Sequence, residues 1–102
     1  MNKHKSFFKK GKPERDKSYL KRVCELPCSV CGAYPVQAHH ARGARFNTGM
    51  GIKASDYDTM PLCFKHHTEF HSGGALGEAA WEEKYLLQEI HIAKTKRILG
   101  KE

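Results

Sequence analysis

The stretch that decides the fold is Pro61–His71, PLCFKHHTEFH. It sets Cys63, His66, His67 and His71 within little more than two helical turns. Four metal-ligating side chains so close together look sufficient for one zinc. Helical phase argues for two destinations instead. His67 and His71 are four residues apart and so lie about 40° apart around a helix, whereas His66 is turned about 100° from His67. Cys63 and His66 therefore serve one side of the helix, His67 and His71 the other.

Partners for both sides stand upstream. Cys28 and Cys31, in CSVCG, place two thiols on a tight turn. With Cys63 and His66 they make two pairs with two-residue gaps, the spacing of a closed, structural zinc site. Cys24 offers a rival set, Cys24, Cys28, Cys31 and Cys63, which would free His66. It falls in a predicted helix, where a buried structural cysteine is the usual case. The Cys24, Cys28, Cys31 spacing also matches the iron–sulfur motif of radical SAM enzymes, but those need a barrel of roughly twice this length.

His39 and His40 remain. On extended chain, adjacent side chains point oppositely. One of the two is expected to bind metal with His67 and His71, and the other to stay free. A free imidazole titrating near neutral pH suits a general base. Singly, each of these histidines reads as a surface or core residue; clustered around a cysteine knuckle, they read as a site.

The chain has 102 residues, one small domain near the size where metals often supplement the core. Four cysteines without a secretory signal suggest the cytosol and metal ligation rather than disulfides. No segment is apolar enough to span a membrane. Of 18 Lys and Arg, nine fall in residues 1–22 against only Glu14 and Asp16, so the whole net charge of +7 sits there. Such a basic tail is either a solvated segment or a phosphate-binding arm.

Residues 1–15 are expected to form a flexible basic arm, punctuated by Gly11 and Pro13, and 16–102 a single domain. Asp16 or Ser18 can cap a helix running to Leu26. Val36–His40 and Asp58–Leu62 read as strands, and Cys63–His71 as a helix. A long glycine-containing basic loop joins the strands. A helix over about 76–99 carries one stripe of Trp81, Tyr85, Gln88, Ile92, Thr95 and Leu99, and a second of Leu86, Ile90 and Ala93. Both stripes are expected to pack on this chain's own core, with a dimer seam as the alternative.

The order CSVCG, AHH, a glycine-containing loop, PLCFKHH and a further His resembles the HNH, or ββα-metal, nuclease superfamily. More narrowly, residues 19–72 are similar to phage-encoded HNH proteins, among them the RecA-dependent, Ref-type recombination nucleases, with WEEKY at 81–85 as weaker support. The resemblance implies an α+β fold: a zinc-stabilised, treble-clef-like ββα-metal core with flanking N- and C-terminal helices. It implies a metal-dependent endonuclease that hydrolyses DNA phosphodiesters, leaving 5′-phosphate and 3′-hydroxyl ends.

By position, His39 would be the first ligand of the catalytic ion and His40 the general base. His67 would be the second ligand, and His71 a third ligand or a phosphate contact. Cys28, Cys31, Cys63 and His66 would hold the structural zinc. The family's middle Asn falls at Asp58, with Asp56 as another candidate brace; this departure puts the loop-pinning role in question.

The catalytic ion would be Mg, Mn, Ni or Zn. Arg42, Arg45 and Lys53 would meet the DNA backbone, or else form a solvated loop. Implied partners are DNA and a RecA-type recombinase filament, in the bacterial host cytoplasm, with the protein a monomer or a dimer through its C-terminal helix. The rival class is a non-catalytic zinc module that binds nucleic acid, for which the histidines beyond the first site are surplus.

Overall fold

The computed structural model describes residues 13–46, 48, 52–71 and 77–101. In chain order they form α1 (Lys17–Val23), β1 (Val36–His40), a 3₁₀ turn (Ala44–Phe46), β2 (Thr59–Cys63), α2 (Phe64–Phe70), α3 (Gly77–Tyr85) and α4 (Gln88–Leu99). The architecture is α+β: one two-stranded sheet with helices around it. No described helix is long and apolar enough to cross a membrane.

α1 begins where Asp16 Oδ1 accepts from the Tyr19 amide at 3.0 Å, an N-cap that satisfies one of the helix's open donors. Lys21 and Arg22 sit in its last turn, opposite in sign to the carbonyl end. Arg22 Nη2 also donates to the Leu99 carbonyl at 2.8 Å, joining α1 to the end of α4. Glu14 and Arg15, assigned to the arm from sequence, belong to the body. The Glu14 carbonyl accepts from the Asp56 amide. Arg15 reaches the Ala54 carbonyl at 2.7 Å and Asp56 Oδ1 at 3.0 Å. The arm's residues 1–12 lie outside the described residues.

β1 and β2 are antiparallel, with Val36 opposite Cys63 and His40 opposite Thr59. Pro61 is tolerated at the middle of β2 because it faces away from the ladder. Its carbonyl instead accepts from the Ser29 amide at 2.8 Å, which seats the cysteine knuckle on the strand's outer edge. Every residue of β2 is buried, because the strand touches α1, α2 and α4 as well as β1. Met60, Leu62, Phe70 and Trp81 form the main core with Cys28 and Cys63. The Trp81 indole donates to the His66 carbonyl at 3.0 Å, so α3 fixes α2 from behind.

The single helix expected over about 76–99 is two helices. Leu86 N still donates to the Glu82 carbonyl, but Leu86 turns to φ 88° and Leu87 is extended. The Glu82 carboxylate then accepts from the Gln88 amide at 3.0 Å and starts α4. The break lets α3 lie on α2 while α4 folds back onto β2. The two apolar stripes part company accordingly. Trp81, Gln88, Ile92 and Thr95 are buried, whereas Leu86, Ile90 and Ala93 are exposed, so the second stripe does not pack on the core as expected.

Candidate functional site

Two ligand clusters flank α2. In the first, the ligand atoms of Cys28, Cys31, Cys63 and His66 lie within 4.8 Å of one another. Cys31 Sγ is 3.8 Å from Cys63 Sγ, and His66 Nδ1 is 3.7 Å from Cys28 Sγ and 3.3 Å from Cys63 Sγ. A tetrahedron with Zn–S of about 2.3 Å and Zn–N of about 2.0 Å has edges of about 3.8 Å between sulfurs and about 3.5 Å from sulfur to nitrogen. The Cys₃His set therefore has the spacing and donor chemistry of a metal site. Cys24 is outside it and is exposed at the end of α1, not buried as its place in a helix led us to expect.

Local chain geometry makes this cluster. Gly32, at φ 78°, closes the knuckle turn, and its amide donates to the Cys28 carbonyl. Burial pushes the Cys28 thiol up, but the amides of Cys31, Cys63 and Val30 outweigh it and leave the thiol below its usual range. The Ala33 amide pulls Cys31 down, but burial and the neighbouring thiols leave it raised. Crowded thiols that resist losing their second proton are relieved by a cation among them.

In the second cluster, the ligand atoms of His39, His67 and His71 also lie within 4.8 Å of one another. His71 Nε2 is 3.1 Å from His67 Nε2. Ligands at adjacent vertices about 2.1 Å from an ion stand about 3.0–3.4 Å apart, so the separation fits. His39 Nε2 is fully buried without a hydrogen-bond partner, a costly state that an ion would relieve. Burial first, and then the charges of His67, His71 and Arg42, hold the His39 imidazole down to about 3. Burial also lowers His67 and His71, so all three rings favour the neutral form that ligates.

The donors around the cluster form a consistent chain. Arg42 Nη1 donates to His71 Nδ1 at 3.2 Å, His71 Nε2–H points to His67 Nε2, and His67 Nδ1–H donates to Gln37 Oε1 at 2.7 Å. Gln37 thus presents His67 Nε2 to the cluster. It went unnoticed in the sequence, although strand alternation places it on the face of β1 that bears His39.

His40 points the other way, as alternation requires. Its Nε2 lies 2.8 Å from Asp56 Oδ1. Asp56 is 3% exposed, and its Oδ2 accepts from the Asp16 amide at 2.7 Å. Burial pushes its carboxyl up, but the hydrogen bonds from His40, Asp16 and Arg15 hold it below the usual carboxylate range. Asp58, which stands at the position of the family's middle Asn, does not contact His40 in the described hydrogen bonds. Its carboxylate is 3.5 Å from Lys96 Nζ, and its carbonyl accepts from the Ala41 amide. The brace is Asp56 because the turn at Asp56–Tyr57 brings this carboxylate, not its neighbour, back under β1.

One pocket of about 540 Å³ is lined by His39, His67 and His71 with Arg42, Lys53 and Glu78, and His40 contributes to its lining from the opposite face of β1. Arg45 is not part of it. It is bound by Glu82 and by Glu89, the latter at 2.6 Å, and so clasps the loop to α3 and α4. Gln88 is the other residue the sequence did not reveal. Completely buried, it accepts from the Arg42 amide and donates to the Arg42 carbonyl, both at 2.9 Å. It also donates to Glu82 at 3.1 Å. This two-point clamp fixes the backbone that follows His39 and His40.

The fold and site define a small α+β protein with a Cys₃His cluster and a separate three-histidine cluster. By sequence the chain belongs to the DUF968 family, described as a protein of unknown function, whose pattern matches residues 2–98. It is 39% identical over 82 residues to the uncharacterized protein YdfU of Escherichia coli (strain K12), an alignment that covers 78% of this chain and 22% of YdfU. The chain thus spans about a fifth of that relative's length. No solved structure matches it.

Proposed function

We propose that the protein is a metal-dependent DNA endonuclease of the ββα-metal (HNH) kind, with zinc on the Cys₃His cluster as its structural ion. The observation behind the reading is one pocket lined by His39, His67 and His71 and by the carboxylate-braced His40, beside Arg42 and Lys53. The strand–strand–helix order of β1, β2 and α2 agrees with it.

His39, His67 and His71 would hold a divalent ion, which would supply charge neutralisation at a scissile phosphate and its departing oxygen. The rest is done by side chains. Asp56 accepts from His40 Nε2–H, which leaves Nδ1 as the basic nitrogen. Nδ1 takes a proton from water, and the ionised Asp56 stabilises the imidazolium that results. Hydroxide attacks phosphorus, the P–O3′ bond breaks, and the departing oxygen is protonated from solvent. Arg42 Nη1, 3.2 Å from His71 Nδ1 at the pocket, would be placed to meet a phosphate oxygen. The basic residues 1–12 add salt-dependent, sequence-independent affinity for DNA. A recombinase filament as a physiological partner rests on the Ref-type resemblance.

The test is nicking of supercoiled plasmid with Mg, Mn, Ni or Zn, with His40→Ala as control. Wild-type protein should nick with at least one ion, and His40→Ala should lose about 10²–10⁴-fold while still binding DNA. Absence of nicking with every ion, together with a single bound zinc, would favour the non-catalytic module.

A further inference from the structure

The junction of α3 and α4 has a feature that the histidine pocket does not use. Leu86, one residue past α3, has φ 88° and is the non-glycine residue with a positive φ among those described. Glycine or asparagine is the usual occupant of such a helix-ending position. A leucine there strains the backbone, and its side chain is 56% exposed. Its neighbours Leu87 and Ile90 are 50% and 47% exposed. Strain kept at an exposed apolar side chain points to a contact made with something else.

The contact surface is a groove of about 370 Å³ between this junction and the cysteine knuckle. Val30, Tyr85, Leu86 and Ile90 give it apolar walls, and Lys84 and Lys94 stand in its lining with no carboxylate among the described lining residues; Glu69, behind the wall, accepts from the Tyr85 hydroxyl at 2.7 Å. Both lysines are held there: Lys94 Nζ donates to the Ser29 carbonyl at 3.0 Å, and Lys84 Nζ lies 5.3 Å from the Tyr85 ring centre.

We propose that this groove docks an acidic segment of a partner protein that inserts large apolar side chains between Leu86, Ile90 and Tyr85. Charge selects this occupant over a second copy, because a two-fold seam here would crowd the lysines of both copies with no acid among the described lining residues to answer them. Apolar area selects it over nucleic acid, whose backbone has nothing to bury against leucine and isoleucine. The groove shares no lining residue with the histidine pocket, so it stands or falls apart from the nuclease reading.

The probe is a fluorescein-labelled peptide of about a dozen residues, with two leucines and a phenylalanine set among aspartates. One control replaces its apolar residues with serine, another its aspartates with asparagine, and a third probe is a labelled DNA duplex. Anisotropy on the full, metal-loaded chain should show the acidic apolar peptide binding at least about tenfold more tightly than either control peptide. Leu86→Gly should weaken that binding about tenfold while Tm holds or rises, since glycine accepts the positive φ without strain. Lys94→Glu should weaken it comparably, with Lys84→Glu as a second charge reversal should Lys94→Glu misfold.

Any of five results would overturn the proposal: the peptide fails to outbind its controls; it binds Leu86→Gly as it binds wild type; the duplex displaces it in a Leu86-dependent way; sedimentation reveals a dimer that Leu86→Gly dissociates; or Tm falls for Leu86→Gly, which would give Leu86 an internal role.

Discussion

α2 is seven residues long, yet its two sides serve different ends. On one side, Cys63 and His66 join a knuckle whose ligands are buried except for Cys31, with α3 packed behind through Trp81. On the other, His67 and His71 face an open pocket, and His39 behind them has a buried nitrogen with no partner. The first cluster lies within the main core, where Cys28 and Cys63 pack with Met60, Leu62, Phe70 and Trp81; the second lines a pocket. Loss of the first should therefore cost the fold, and loss of the second only what happens in the pocket.

The largest effect tests the enclosed side. Cys31→Ser should cost the domain its folded state, read as loss of helical circular dichroism and of bound zinc; strong chelation should do the same. A folded Cys31→Ser protein with its metal intact would erase the distinction between the clusters. On the open side, His67→Ala should keep the fold and the Cys₃His metal, lose the second ion, and cut nicking by about 10²-fold or more.

The pH dependence of the metal-free second cluster sharpens the contrast. His39 is held down to about 3 from an ordinary 6.5, so the unfolded chain takes up a proton that the folded chain resists. The stability is fully present above about pH 6.5 and is lost as pH falls toward about 3, at up to about 1.4 kcal/mol per pH unit. Thermal melts of His39→Gln should show a shallower acid slope; an unchanged slope would deny His39 this role. Smaller still, Gln88→Leu should cost about 1–3 kcal/mol by orphaning the Arg42 amide and carbonyl. It should weaken metal binding at the histidine cluster while leaving the Cys₃His metal in place, as equilibrium dialysis would report.

Periodicity accounts for what was legible beforehand. Helical phase separates His66 from His67 and strand alternation separates His39 from His40, because both are fixed by backbone geometry within a few residues. The same alternation could have found Gln37. Nothing local distinguishes Asp56 from Asp58 as the partner of His40, since both lie in one short turn and the choice depends on how that turn returns beneath β1. The division between α3 and α4 was equally hidden, because no glycine or proline marks it. Leu86 takes the positive φ, and the Glu82 side chain starts the next helix.

Arg45 shows the cost of reading charge without neighbours. On a basic loop it looks like a phosphate contact, yet Glu82 and Glu89, some forty residues away, claim it. Gln88 looks like one position in an amphipathic stripe, yet it clamps the site's backbone. The sequence by itself determined which ligands share a side, because the phase of a helix or strand is a short-range property. Only the tertiary structure decided which polar side chains brace them, because those hydrogen bonds join residues distant in the chain and exist only once α4 has folded back onto the sheet.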